Sequence, residues 1–320
     1  MLLINRESEY IKKILSEGSF SAAAQKLYIS QPSLSQYIKR IENIIGSELF
    51  ERTSKPLKLT NAGKIYLETE EKINFMRKQM RQRLDDIDEL KQGHLTIGSS
   101  HYRSAYLLTK VLPVFRKKYS GITISLEEGT TSQLEEYAIN GITDFSISLL
   151  PTYSPVLGYE ELFDENILLA ISDEHPLCKK MLGSKSNDEI YPKIDFGQLK
   201  DTEFIIMKHG QKLRKSFFDL CEQAGFSPKI ILESQSMVAA QALAAVGFGA
   251  TLVPDVLAMY NHLTRAPLYF SFINPPPKRH VVAVYNKNKY LSKAAQAFIA
   301  MIKEIVIADF KKNGYYSEFI

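Results

Sequence analysis

Residues 17–63 read EGSFSAAAQKLYISQPSLSQYIKRIENIIGSELFERTSKPLKLTNAG, and the fold of the N-terminal part follows from them. Just upstream, Tyr10, Ile11, Ile14 and Leu15 recur at helical spacing, which predicts a first helix stopping near Gly18. Ser19 or Ser21 then offers an N-cap for a second helix, in which Ala22, Ala23 and Ala24 let a neighbour approach closely. That helix ends at Leu27. A short turn through Tyr28 and Ile29 leads to Ser30, another N-cap, and Pro32 falls in the first turn of the next helix, where its missing N–H costs little.

The third helix, from Gln31 to about Ile45, has two faces. Leu34, Ile38, Ile41 and Ile45 form a narrow apolar stripe. At about 100° per residue, Pro32, Gln36, Lys39 and Asn43 point the other way, flanked by Ser33, Ser35 and Arg40. Hydroxyls, an amide and cations on one face suit a helix entering a major groove: Gln reads adenine edges, Ser donates or accepts, and Lys and Arg reach guanine or phosphate. A solvated amphipathic helix is the plainer reading of an isolated segment. The short helix and tight turn before it favour a helix-turn-helix. Residues 49–52 and 57–59 then read as two short strands around a turn holding Ser54, Lys55 and Pro56, a β-wing with Arg52, Lys55 and Lys58 available for phosphates. Thr60 is placed to cap the helix that follows.

The rest of the chain divides by pattern. Residues 61–92 form one long charged helical segment ending at Gly93, with Ile73, Met76, Met80, Leu84, Ile87 and Leu90 spaced by three or four. A stripe that narrow suits packing on one partner helix. From His94 onward strand-like and helix-like segments alternate, as in an α/β sheet. His94 to Ser99 reads as a strand and residues 104–119 as a helix. Residues 122–127 read as a second strand, and Gly129 to Ser132 lead into another helix. Two helix N-termini thus lie at the C-terminal ends of neighbouring parallel strands, where open α/β sheets bind ligands. Exposed N–H groups there favour an anion, with Ser99, Ser100, Thr130 and Thr131 as added donors, although simple capping accounts for such residues equally well. The run Pro275, Pro276, Pro277 reads as a rigid loop.

Composition narrows the class. The 320 residues are 45% apolar and contain no run near the ~20 residues of a membrane span. The start MLLINRESEY lacks a basic region followed by a long apolar one, so a cytoplasmic protein without membrane contact is expected. Two cysteines, Cys178 and Cys221, fit a reducing compartment. The net charge of +4 does not by itself argue for nucleic acid; the crowding of Lys39, Arg40, Arg52, Lys55 and Lys58 does.

The quoted run resembles the DNA-binding domain of LysR-type transcriptional regulators. GSF, AA, SQPSLS, the pattern I-x-x-I-E, G-x-x-LFER and LT-x-AG occur in order over more than 40 positions. The resemblance places DNA contacts on Gln31, Pro32, Ser33, Ser35, Gln36, Lys39, Arg52 and Lys55. Gln36 stands where many members carry Arg, and the wing is poorer in arginine, which bears on operator sequence. LTIGSS, LPVFRKKYSGI, GITDFSIS, an HPL after the strand 167–171, and ALAAVGFGATLVP resemble the family's effector domain, which has the fold of type 2 periplasmic solute-binding proteins.

The expected protein is multidomain, α and α/β. A winged helix-turn-helix occupies residues 1–60, a linker and dimerisation helix 61–92, and a two-lobed periplasmic-binding-protein-like effector domain 93–320. Lobe one covers about 93–166 and 268–310, and lobe two about 167–267. The resemblance implies duplex DNA as partner, a homodimer that further assembles to a homotetramer, and a small effector between the lobes. It places Ser99, Ser100, Thr130 and Thr131 on lobe one, and Ser148, Met207 and His209 at the hinge or on lobe two. No catalytic residue, metal ligand or cofactor is implied. The six histidines form no H-x-x-x-H pair, and neither a G-x-S-x-G elbow nor a Walker loop is present. Gly247 and Gly249 suit a helix-to-strand turn better than a nucleotide site. Two rivals stand beside this reading: a redox-sensing regulator using Cys178 and Cys221, and a solute-binding or enzymatic α/β protein.

Overall fold

A computed structural model describes residues 6–51, 53–86, 90, 92–181, 190–260 and 263–312. The chain forms two compact units, residues 1–84 and 85–320.

In the first unit α1 (Glu7–Glu17) ends on Gly18 in the left-handed region, φ 70°. Ser19 caps α2 (Phe20–Lys26) by accepting from Ala22 N at 3.2 Å, and Ser30 caps α3 (Gln31–Ile45) by accepting from Ser33 N at 3.2 Å. Leu34, Ile38 and Ile41 of α3 bury against Ile11, Ile14, Ala23 and Ala24, so the apolar stripe read from the sequence is the seam of this small core. Strands β1 (Phe50–Glu51) and β2 (Lys58–Leu59) pair antiparallel as the wing. Glu42, buried in α3, accepts from Leu49 N at 2.8 Å and so fixes where the wing begins. Leu57 N donates to Gly18 O at 3.1 Å, tying the wing to the turn before α2. Thr60 Oγ1 accepts from Gly63 N at 2.9 Å at the start of α4 (Asn61–Asp85). A side chain at Gly63 would collide with the Leu49 carbonyl, which is why the LT-x-AG motif needs glycine there.

Helix α4 stops at Asp85, short of the expected end at Gly93, which instead opens a strand. Asp86 is the reason on the far side. Buried, it accepts from Tyr290 OH at 2.7 Å and from Lys293 N at 2.9 Å, so the chain is already committed to the second unit. Leu90 likewise packs on that unit's core and does not extend the α4 stripe, and Ile87 lies outside the described residues.

The second unit begins with β3 (Gly93–Ser99), then α5 (His101–Arg103), a π-turn (Ser104–Leu108), α6 (Thr109–Lys118), β4 (Ile122–Glu128), α7 (Thr131–Asn140), β5 (Phe145–Leu149) and β6 (Leu157–Glu165). Strand β3 pairs parallel with β4 and β5. The chain then crosses to β7 (Ile167–Ile171), α8 (Pro176–Met181), β8 (Lys193–Ile194), β9 (Glu203–Met207), α9 (Lys212–Gln223), β10 (Lys229–Ser234), α10 (Met237–Ala245), β11 (Thr251–Pro254), α11 (Asp255–Met259) and β12 (Leu268–Phe272). It returns with β13 (Arg279–Asn286) and α12 (Lys293–Lys312).

Lobe one holds one sheet, and lobe two a four-stranded sheet with a separate two-stranded one. The first runs β4-β3-β5-β13-β6, and the second β11-β7-β12-β8 with the parallel pair β9 and β10 beside it. In lobe one α6 and α12 cover one face, joining Phe115, Phe145 and Phe298, while Ala138 of α7 packs on Val282 and Val284 from the other. Strand β7 is apolar throughout because both faces are covered: Ile167, Leu169 and Ile171 face one cluster, Leu168 and Ala170 another. Leu268 to Phe272, read from sequence as part of lobe one, pairs antiparallel with β7 and belongs to lobe two. The return crossing therefore lies at 273–278, later than expected.

Candidate DNA-binding surface and effector cleft

On α3, Gln31, Pro32, Ser33, Gln36 and Lys39 are exposed and Ser35 is half-buried. Pro32, Gln36 and Lys39 lie on the face opposite Leu34, Ile38 and Ile41 with Ser33 and Ser35 flanking it, Gln31 stands in the first turn toward the apolar side, and Lys55 is exposed on the wing. Ser33 Oγ lies 2.7 Å from Ser30 Oγ, so its hydroxyl is engaged at the cap as well as facing outward. Arg52 lies outside the described residues.

In the second unit a cavity of about 460 Å³ opens between the lobes. Pockets of this size hold small organic ligands. Lobe one supplies Ser100, Tyr102, Arg103, Thr130, Thr131 and Gln133; lobe two supplies Gln211, Lys212, Gln235, Ser236, Met237 and Val238; Arg279 enters from the start of β13. Three of the sequence-expected residues, Ser100, Thr130 and Thr131, are therefore brought together. Ser99, Ser148, Met207 and His209 do not line the cavity. Ser99 and Ser148 are buried on β3 and β5, where Ser148 Oγ donates to Glu135 Oε1 at 3.4 Å. Met207 is part of the lobe-two core, and His209 is exposed beyond the end of β9.

The capping alternative accounts for Thr130. Its side chain accepts from Gln133 N while its backbone N donates to Gln133 Oε1 at 2.9 Å, a complete capping box, and its hydroxyl also donates to Gln133 Oε1. Ser100 differs: it occupies the cap position of α5 without capping it, and its hydroxyl is buried with no partner. The π-turn that follows is a device often found beside functional sites.

The charged groups are the part the sequence did not reveal. Arg103, Glu165 and Arg279 meet at the cavity floor. Arg103 Nη2 donates to Glu165 Oε1 at 3.0 Å, and Arg279 Nη1 lies 3.1 Å from the same oxygen. Tyr102 OH donates to Glu165 Oε2 at 3.2 Å, and burial pushes its phenol well above the usual range. Glu165 is wholly buried, Arg103 is 4% exposed and Arg279 is 9% exposed. At the cavity mouth Lys212 reaches from lobe two to lobe one, donating to Leu149 O, to Pro151 O at 2.8 Å and to Glu135 Oε1 at 3.4 Å. Burial pulls its pKa below the ordinary lysine value. None of these partners is near in sequence, and no periodicity marks them.

Cys178 and Cys221 are both free and buried, and burial pushes each thiol up to about 11. Such thiols carry little thiolate near neutral pH and make poor peroxide sensors. Among the described residues no three His, Cys, Asp or Glu side chains converge as metal ligands, and no helix is long and apolar enough to cross a membrane.

A winged helix-turn-helix followed by a two-lobed α/β domain with a cleft defines a class of ligand-responsive DNA-binding proteins, and the comparisons place the chain within it. Residues 6–64 match the bacterial regulatory helix-turn-helix family of lysR type, and residues 88–306 match the LysR substrate binding domain. The HTH-type transcriptional regulator YcgK of Bacillus subtilis (strain 168) is 31% identical over 92% of this chain and 93% of its own length. Full-length CbnR, solved with its target DNA, superposes with a TM-score of 0.63 at 20% identity, covering 95% of this chain and 99% of that one. The effector-binding domain of QuiR, solved with shikimate, gives a TM-score of 0.55 at 22% identity, covering 67% of this chain and 97% of that one. The chain belongs to the LysR family of transcription regulators, with a DNA-binding domain at its N-terminus and an effector-binding domain after it.

Proposed function

We propose that this regulator reads its operator through Gln31, Pro32, Ser33, Ser35, Gln36 and Lys39 of α3, with Arg52 and Lys55 of the wing on phosphates. A small anionic effector binding between the lobes of residues 93–312 controls it. Two buried guanidiniums sharing one buried carboxylate at the cavity floor carry the anion assignment. On this reading the protein works in the cytoplasm, and its role is regulatory rather than catalytic. Calorimetry of the full chain with a panel of small acids and their uncharged counterparts tests the effector reading. Binding by the uncharged members alone would defeat it.

For DNA, Gln36→Ala is expected to relax base preference by about 1–3 kcal/mol at one position per half-site. Lys55→Ala should weaken all duplexes alike and lower the salt slope by roughly one. Binding titrations at several salt concentrations, on promoter and random duplexes, read both. An unchanged sequence preference in the Gln36 variant would remove that residue from base readout.

Assembly follows from α4. Met76, Met80 and Leu84 are 66%, 44% and 53% exposed along one stripe, which a second copy of the helix would cover. A dimer also supplies the two half-site readers that such modules use, and pairing of two dimers gives the tetramer. Met80→Glu with Leu84→Glu places charge in that seam and should split the dimer. Sedimentation velocity showing the parent's oligomer in the double variant would place the contact elsewhere.

A further inference from the structure

The turn between α2 and α3 holds a residue that the fold alone does not explain. Ile29 N donates to Ala24 O at 3.0 Å and Tyr28 N donates to Gln25 O at 3.3 Å, the pair of bonds that closes a helix through one left-handed residue. Tyr28 is that residue, at φ 55°. Glycine is the usual occupant, because a side chain there crowds the backbone. Elsewhere in this chain Gly18, Gly46, Gly141, Gly210, Gly225 and Gly247 take such conformations, with φ between 70° and 85°. Among the described residues the other non-glycine case is Leu90, whose side chain packs on the lobe-one core. Tyr28 has no such compensation. It is 96% exposed, and its side chain makes no hydrogen bond, ion pair or ring contact among the described residues. A bulky residue held in a costly conformation, with no packing to offset it, points to a contact outside the chain.

The neighbours say where that contact lies. Leu27 and Ile29 both pack on the small core, so Tyr28 between them points outward. The first turn of α3, exposed at Gln31 and Pro32, begins three residues on. Three residues span at most about 11 Å, and the major groove is about 12 Å wide. A helix tip that reaches base edges therefore brings Tyr28 to the rim of the groove, where the phosphates lie. Charge agrees. Lys26 is exposed beside it and, like Lys39, Lys55, Lys58 and Lys64, forms no ion pair among the described residues. These cations come from the end of α2, from α3, from the wing and from the first turn after the wing. Lys12 and Lys13 of α1 and Lys72 of α4 are instead matched by Glu71, Glu17 and Glu68.

We propose that the turn between α2 and α3 is a phosphate contact of the DNA-binding domain, in which the Tyr28 hydroxyl donates to one backbone phosphate of each half-site and Lys26 supplies charge beside it. The proposal rests on the reading of α3 as the recognition helix. Such a contact fixes the register of the reading head and carries no sequence information itself. The two donors differ in kind: a lysine on a phosphate releases about one counterion, and a neutral hydroxyl releases none. The contact has a cost in the free protein, since the side chain that anchors DNA also strains the turn joining the two helices.

The test uses the full chain with two duplexes, the sequence that the chain selects from a randomised pool and a scrambled duplex of equal length. Tyr28→Phe keeps the ring and the backbone conformation and removes only the donor. It should lose about two- to tenfold in affinity on both duplexes, at an unchanged salt slope. Tyr28→Gly should lose at least as much, while amide hydrogen exchange over residues 20–34 slows because the turn is relieved. Lys26→Ala should lower the salt slope by about one for each protomer on the duplex. Ethylation of the contacted phosphate should weaken binding of the parent and leave that of the Tyr28→Gly, Lys26→Ala double variant little changed. Parent-like affinity of both Tyr28 variants on both duplexes would overturn the proposal. So would a loss confined to the selected duplex, which would make Tyr28 a base reader, or the same ethylation pattern in parent and double variant. Where Gln36→Ala relaxes sequence preference and the Tyr28 variants bind like the parent, the turn contact alone is lost. Where Gln36→Ala also leaves preference intact, the recognition-helix reading falls with it.

Discussion

Asp255→Asn is expected to remove a steep fall in stability between about pH 4 and pH 7. The Asp255 carboxyl is almost wholly buried, and burial outweighs the hydrogen bonds from Asn166, raising its pKa from 3.8 to about 7. Below the ordinary carboxylate range both folded and unfolded chains are protonated, and the folded state bears no penalty. As pH rises toward 7 the unfolded chain releases a proton that the folded chain keeps, so stability falls. Above the folded pKa the loss is complete, on the order of 4 kcal/mol as an upper bound. Asparagine cannot ionise and keeps an oxygen for Asn166. Its amide would replace an oxygen that has no partner, a constant cost that pH does not alter. Urea midpoints of parent and variant at pH 4.5, 6 and 8 read the effect. A stability difference that does not change with pH would mean that Asp255 ionises normally in the fold.

The second large effect lies in the lobe-one core. Phe298 of α12 is fully buried, with its ring 4.8 Å from that of Phe115 and 6.0 Å from that of Phe145. Phe298→Ala removes the ring that joins helix to helix and helix to sheet, and should cost about 3–5 kcal/mol. Phe298→Leu keeps most of the volume and should cost less. The measurement is the denaturant midpoint of the effector unit at unchanged slope. A loss below about 1 kcal/mol would show that the site collapses around the vacancy.

The N-terminal unit was legible because its instructions are local. Ser19, Ser30 and Thr60 cap the helices that they directly precede, and Gly18 ends the helix before it. The stripe of Leu34, Ile38 and Ile41 is buried as its spacing predicts. The effector cleft was legible only in part. Ser100, Thr130 and Thr131 follow strand ends and so could be placed from a βα pattern alone. Ser148 could not, since its direction from β5 depends on which face α7 covers. Arg103, Glu165 and Arg279 lie in three separated segments, and only the β6–β13 register sets Arg279 opposite Glu165. The end of α4 was misjudged for a related reason. Asp86 bonds to Tyr290 and Lys293, partners far along the chain that no local signal announces.

The two crossings between lobes differ in kind, and together they act as a pivot. One is the single residue Asn166 between β6 and β7, with backbone and side chain both held by Asp255. The other, 273–278, contains Pro275, Pro276 and Pro277, whose rings remove three backbone rotations. A joint with so few free torsions resists shear and translation, and leaves rotation about the line through the two crossings as its soft coordinate. If an effector binds in the cleft as proposed, the work it does is delivered as an angle. Its displacement grows with distance from the axis, so the outer rims of the lobes travel farthest.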